Sequence, residues 1–350
     1  MRALLLFAIS ILAAVPAAAQ TAAPTTVPEM WDAWCARCHA KDGSGKVSEP
    51  TVTVEPMDFT DCRIASAEPD ADWQLAIAHG GPAVGLSSQM PAFGDALTPA
   101  QVDGFVALIR GFCAEDGWPS GNMNLPRPIF TEKAFPENEV VLLPMASHHR
   151  DAPSSYRFRT VYERRIGRRA QLEAILPVQS ADAGTRETGV GDVELGIKYA
   201  LTPRAHAYLA SAGFDIVLPT GSESRGLGGG TTVFEPYVAF ATTAGSTYLQ
   251  GQLKLELPSR RTWDDRETVY GLYAGRDTGI FPDTWTVGLE LNGENDELAV
   301  TPQIRKGLTR TGALAAAFGV RLPINKRREQ GIQWVGYLLW EYLEPVLPGR

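Results

Sequence analysis

Between residues 139 and 341, apolar and polar side chains change places at almost every step. In YRFRTVYER, Tyr156, Phe158, Thr160 and Tyr162 alternate with Arg157, Arg159, Val161 and Glu163. In DVELGIKYAL, Val193, Leu195, Ile197, Tyr199 and Leu201 alternate with Glu194, Gly196, Lys198 and Ala200. A period of two is the mark of a strand with one apolar and one polar face. It returns in TYLQGQLKLEL, TWTVGLELN, ALAAAFGVRLP and GIQWVGYLLWEY. About 12 such segments begin near residues 139, 155, 169, 191, 205, 232, 247, 267, 284, 298, 313 and 331.

The links between these segments fall into two sets. One holds GRR, TPRA, TAGS and KGLTRTG, with the longer RDTGIFPD. The other holds QSADAGTRETGVG, PTGSESRGLGGGTT and PSRRTWDDRE, with the shorter NGENDE and NKRREQ. Short turns at one end and long loops at the other are the pattern of an outer-membrane barrel, and an even strand count returns the chain to the side on which it entered. The polar face carries Arg157, Arg159, Glu173, Glu194, Lys198, Lys254, Glu256, Glu290, Arg305, Arg321 and Glu341. Such a set is costly in the dry interior of a soluble sandwich, the competing architecture, but suits a wet or densely paired lumen. Tyr237, Trp263, Trp285, Trp340 and Tyr342, near strand ends, are candidates for interfacial aromatic girdles. The sequence thus predicts an antiparallel β-barrel of about 12 strands over 139–346. The stretch GVGDVELGIKYAL, followed by DIVLPTGSES and a Gly-rich loop, also resembles a family of outer-membrane barrels linked to aromatic-compound degradation and transport. That resemblance implies passage of small solutes.

The remainder differs in composition. MRALLLFAISILAAVPAAAQ has one basic residue, a short apolar run and an Ala-x-Ala step, so residues 1–19 read as a signal peptide for export to the periplasm. Residues 20–128 carry 14 acidic against 6 basic side chains, so most of the net charge of -8 lies there, and all four cysteines (35, 38, 62, 113) precede residue 128. The Pro-rich stretch 118–138 reads as a linker to the barrel.

WCARCH places Cys35 and Cys38 one helical turn apart with His39 directly behind. In an exported protein that spacing suits covalent attachment of haem c: the two thiols add to the two vinyl groups and the imidazole lies under the iron. A disulfide redox pair or a zinc site fits less well, because no βαβ context and no second ligand pair are present. Met90, in a Gly/Pro-rich loop, is the candidate sixth ligand, with Met57 and His79 as replacements. Thr98-Pro99-Ala100-Gln101 starts a helix with Val102, Phe105, Val106 and Ile109 on one stripe. CARCH together with MPAFGDALTPAQVDGFVALIRGF resembles the class I cytochromes c over about residues 25–117. The resemblance implies a small all-α cytochrome c domain (20–117) around one covalent haem, with Cys35, Cys38, His39 and Met90 as its haem residues. Cys62 and Cys113 remain, and in an oxidising compartment they are expected to form a disulfide.

The function expected from these parts is a periplasmic monohaem electron carrier, not an enzyme, anchored in the outer membrane by its barrel and meeting a basic redox protein through its acidic surface. One haem cannot span about 30 Å of hydrocarbon, so outward transfer would need a further partner such as a multihaem protein in the lumen. The alternative is an outer-membrane channel for small solutes in which the cytochrome part serves as redox sensor or plug. His148-His149 reads as a solvated pair. No nucleophile-base constellation, phosphate loop or basic nucleic-acid patch stands out.

Overall fold

The computed structural model describes residues 24–342, apart from 50, 150–152, 183–185, 203–206, 261–265, 280–284 and 327–330. The leader 1–19 and the chain beyond 342 lie outside the described residues, as does Trp263. The strands are β1 (Glu139–His148), β2 (Ser155–Ile166), β3 (Ala170–Asp182), β4 (Arg186–Val190), β5 (Val193–Ala200), β6 (Tyr208–Leu218), β7 (Val233–Ala244), β8 (Thr247–Pro258), β9 (Glu267–Thr278), β10 (Trp285–Glu294), β11 (Glu297–Gly307), β12 (Leu314–Pro323) and β13 (Ile332–Glu341). Each pairs antiparallel with its sequence neighbour, except that β4 and β5 both lie along β3 and share one place in the ring. β1 pairs with β13, Val140 opposite Trp340, so the ring closes with twelve staves and no free edge. The strand segments and their alternation agree with the sequence expectation.

Closure sends the two faces of every strand to different surroundings. On β10, Leu289 is 51 % exposed while neighbouring Glu290 is fully buried; on β2, Tyr162 is 41 % exposed and Glu163 fully buried. The outer face is a belt of Leu, Val, Ile, Phe and Trp, with Trp285 and Trp340 near the strand ends. An apolar belt around a closed ring with a polar interior is the arrangement of a barrel in lipid, where every backbone polar group must be paired internally. Tyr237 departs from the girdle expectation. It sits at an inward position with Glu235 and Ala239, is 7 % exposed, and lies under the Lys254 ammonium at 5.4 Å.

The expectation of a small all-α cytochrome c domain standing ahead of the barrel is corrected. What precedes the barrel is a cap of short helices and loops: α1 (Val27–Met30), α2 (Ala36–His39), α3 (Cys62–Ala65), α4 (Asp70–His79) and α5 (Pro99–Phe112). A five-residue π-helical stretch (Trp31–Cys35) joins α1 to α2; otherwise only α4 and α5 exceed four residues, and among the described residues 40–61 holds no helix. Such short pieces do not sustain themselves, and Gly and Pro at 43, 45, 56, 80–82, 85 and 91 interrupt them. α5 has the clearest local cause: Thr98 and Gln101 form a capping box, Pro99 takes the first turn, and Val102, Phe105, Val106 and Ile109 join Trp31, Phe59, Trp73 and Ile77 in the cap's apolar cluster. Nor does the cap stand apart. Arg310 donates to the Pro82 carbonyl (3.0 Å), Arg168 pairs with Glu115 (3.2 Å), and Arg165 donates to the Arg63 carbonyl. All three arginines belong to the barrel end with the short turns, so the cap covers that mouth.

Leu289→Arg, at mid-height on the lipid-facing belt, is expected to cost about 2–4 kcal/mol in refolding titrations into lipid vesicles. Leu308→Arg, on an exposed turn, is expected to change stability by no more than about 0.5 kcal/mol. Equal effects would remove the case for a lipid-facing belt.

Candidate functional site

Residues 118–124 still bind the cap, where Asn122 meets Asp70 and Asn124 the Ala67 carbonyl (3.1 Å). From about Leu125 the chain descends through the short-turn mouth to about mid-height and returns to start β1, and most of its side chains are buried. Pro126, Pro128 and Pro136 hold this stretch extended and out of any sheet ladder. Its backbone polar groups, removed from water, must find partners, and the barrel wall provides them. Gln250 donates to the Pro126 carbonyl (2.8 Å) and Tyr337 to the Arg127 carbonyl (2.8 Å). Glu290 accepts from the N–H groups of both Ile129 and Phe130, the latter at 3.0 Å. Gln252 accepts from Glu132 N–H and Gln171 from Glu137 N–H. Lys198 donates to the Lys133 carbonyl (2.6 Å) and Ser211 to the Ala134 carbonyl.

Packing and charge complete the seat. Ile129 joins the inward apolar patch of Val141, Val161, Val335 and Leu339. Met123, Leu125 and Phe135 fill a second patch against Ala200, Leu209 and Ala239. Two wall glycines leave room for this approach: a Cβ on Gly271 would stand 2.7 Å from Thr131 Oγ1, and one on Gly319 2.9 Å from the end of the Ile129 side chain. Arg127 pairs with Glu163 at 2.8 Å and with Glu139, and Glu132 pairs with Lys198 at 2.9 Å. Deleting one member of so buried a pair strands the other, at a cost of about 3–5 kcal/mol. Carboxylate oxygens of Glu132, Glu163 and Glu173, and of Glu173, Glu194 and Asp215, gather within 4.8 Å of one another. Lys198 pairs with Glu132, Arg127 with Glu163, and Lys254 with Asp215, so cationic side chains already meet both groups.

Above the segment lies a second group of ion pairs. Arg159 pairs with Glu194 (3.0 Å), and Lys254 with Asp215 and Glu235 (both 2.8 Å). Towards the long-loop end, the β6–β7 loop folds inward: Asp192 accepts from Gly221 N–H (2.8 Å) and Gly229 N–H (2.7 Å), while Leu227 is buried against Gly189.

In the cap, Cys62 and Cys113 are joined in a disulfide whereas Cys35 and Cys38 are both free thiols, half-buried. Burial, with Cys38 alongside, pushes the Cys35 thiol up to about 11. His39 lies between Trp31 and Phe59, ring centroids 6.0 and 5.0 Å away, with its Nδ1 buried and making no hydrogen bond. Burial lowers its pKa against a smaller opposing effect of the Met57 backbone, so the ring is held neutral. Met57 packs with Cys35 on the cap's apolar cluster. Met90 is half-buried in the 80–90 loop, where its carbonyl accepts from Gly81 N–H (3.0 Å); among the described residues it is not one of the side chains on that cluster. His148 bonds Ser154 at 3.2 Å, at the opposite end of the barrel.

No family model matches this sequence, and no curated protein matches it. Among solved structures, the chain is similar to the KdgM porin in complex with disordered oligogalacturonate, at 8 % identity over 59 % of this chain and 99 % of that one, with a TM-score of 0.43. It is similar to an outer-membrane channel from Pseudomonas putida F1, at 15 % identity over 62 % and 100 % with a TM-score of 0.42. Outer membrane phospholipase A from Escherichia coli shows 10 % identity over 59 % and 92 %, with a TM-score of 0.36.

The luminal course of 125–138 is the functional feature that sequence reasoning missed. A signal was present: a solvated linker has no use for Ile129, Phe130 and Phe135, and its Arg127 and Lys133 match a carboxylate-rich lumen.

Glu68 sits where the cap meets the barrel. Burial, with Glu341 and Asp72 nearby, raises its carboxyl to about 7. Because the folded form prefers the protonated acid, Glu68 opposes docking least below pH about 4.5 and increasingly as pH climbs through about 7. Proteolysis of the cap should therefore accelerate between pH 5 and 7.5 in wild-type protein, and Glu68→Gln should flatten the rise. An unchanged pH profile in the variant would exclude Glu68 as the cause.

Proposed function

We propose that the chain is an outer-membrane solute channel whose pore is held closed by residues 125–138, with the Cys35–His39 cap at its short-turn mouth as a redox-active element. The observation that carries this reading is the chemistry of the seat. The segment is bound largely through polar wall side chains, whose hydrogen bonds water or a solute can replace once it leaves. A barrel serving only as a mount has no need of an interior lined with exchangeable donors and acceptors. Twelve staves also enclose more room than their own side chains fill.

Cap residues fit a covalent haem c. Cys35 and Cys38 are unbridged in a chain whose other two cysteines are joined, and the neutral His39 ring is in the form that binds iron. Cys35 and Cys38 would hold the group by thioether bonds, and His39 and Met90 would supply ligands to its iron. When bound, the group supplies one-electron chemistry. The chain's own residues shield the His39 face with Trp31 and Phe59 and surround the cluster with an acidic surface that favours a basic redox protein.

The same cluster supports a second reading, an electron carrier for which the barrel is only the mount. Conductance separates the two. In planar bilayers the wild-type protein should be silent at rest and show stepwise conductance when moderate urea releases the luminal segment, with closure on washout. Silence at every urea concentration that leaves the barrel folded, judged by its heat-modifiable gel mobility, would leave the mount as the better account.

For the haem, protein made in a host with a cytochrome c maturation system should stain for haem on denaturing gels. Cys35→Ser with Cys38→Ser should abolish the stain while Cys62→Ser with Cys113→Ser retains it. Wild-type protein that carries two alkylatable thiols and no haem under those conditions would overturn the assignment.

A further inference from the structure

We propose that the barrel lumen is a polypeptide-binding site that residues 126–137 occupy as an internal ligand, so that the solute class this channel takes is an extended peptide recognised through its backbone. The inference rests on the channel reading above and adds its ligand. Beside the ion pairs and apolar contacts of its side chains, the wall grips the segment by its backbone. It holds the N–H groups of residues 129, 130, 132 and 137 through the side-chain oxygens of Glu290, Gln252 and Gln171. It holds the carbonyls of residues 126, 127, 133 and 134 through Gln250, Tyr337, Lys198 and Ser211. The wall therefore meets carbonyls at 126 and 127, N–H groups at 129, 130 and 132, carbonyls at 133 and 134 and an N–H at 137, a sequence of groups that a polyamide backbone supplies.

Glu290 is the most specific element. It is fully buried, and one carboxylate takes two successive amide N–H groups while Asn292 (3.1 Å) and Gln303 (2.8 Å) donate to its oxygens from the side. Gly271 and Gly319 are the complementary spaces, each bare of a side chain where the segment inserts Thr131 and Ile129. The prolines of the segment lower the entropy lost on binding, as a preformed extended ligand does. Wall carboxylates around Arg127 favour a peptide with a cationic residue at its entry.

The test uses the full-length chain carrying Arg127→Glu, a change on the segment that leaves every wall group intact and sets it against Glu139 and Glu163. This variant should conduct in planar bilayers without urea. A synthetic peptide of wild-type residues 125–138, added on the cap side, should block the current reversibly. The same peptide N-methylated at residues 129, 130 and 132 should need at least about tenfold more, and maltohexaose should not block. Equal block by both peptides, or by the sugar, overturns the peptide site and leaves the channel standing.

A second measurement does not depend on conductance or on that variant. A labelled 125–138 peptide with a photoreactive group in place of Ile129 is added to detergent-solubilised wild-type protein in urea that releases the segment. It should cross-link to β12 around Gly319. Adducts elsewhere, or none, overturn the site. An adduct at Gly319 from a protein that never conducts would keep the site and remove the channel reading.

Discussion

The pairing of β1 with β13 is the condition on which the rest depends. In hydrocarbon an unpaired N–H or C=O costs several kcal/mol, so a sheet can enter lipid only when its two edges meet. Closure at twelve staves then sets the width of the interior and turns half of every strand inward, where lysine, arginine and glutamate must be hydrated or paired. The luminal segment answers that demand. It brings Arg127 to Glu163 and Glu139, and Glu132 to Lys198, and it satisfies the inward glutamines with peptide groups. Fold and closure are thus consequences of one geometric requirement.

The barrel was legible in the sequence because lipid and lumen impose opposite polarity at every second residue. Even strand starts near 139, 155, 247, 267 and 332 are found where alternation begins. Tyr237 shows where the pattern was not followed through. Its place near a strand end suggested a girdle, but its parity with Glu235 and Ala239 points it inward. Residues 125–138 have no period to read, since prolines remove them from both helix and sheet, and their partners lie on β3, β5, β6, β8, β10 and β13. No local pattern encodes contacts spread over a hundred or more residues.

The cap shows the reverse case, a motif legible at once in a setting that was not. WCARCH, the 80–90 loop and the stripe of α5 were all visible. The all-α domain they suggested is replaced by short helices broken by glycine and proline, seated on the barrel through Arg165, Arg168 and Arg310. Short-range signals fix a turn of helix or an N-cap. Whether such pieces make an independent body depends on surface they share with another element, here the barrel mouth.

Because Asn138 is followed directly by the first residue of β1, the luminal segment is a hairpin tethered at both ends to the short-turn side: the cap holds one limb and the wall holds the other. It therefore has a single direction of travel and can retreat only towards the cap, never through the long-loop end. Pressure, voltage or a solute arriving from the long-loop side pushes it along its exit path. A load from the cap side drives it deeper against Glu290 and the Lys254 layer. In the channel proposed above, the covalent order of the chain would thus set the direction in which the pore opens.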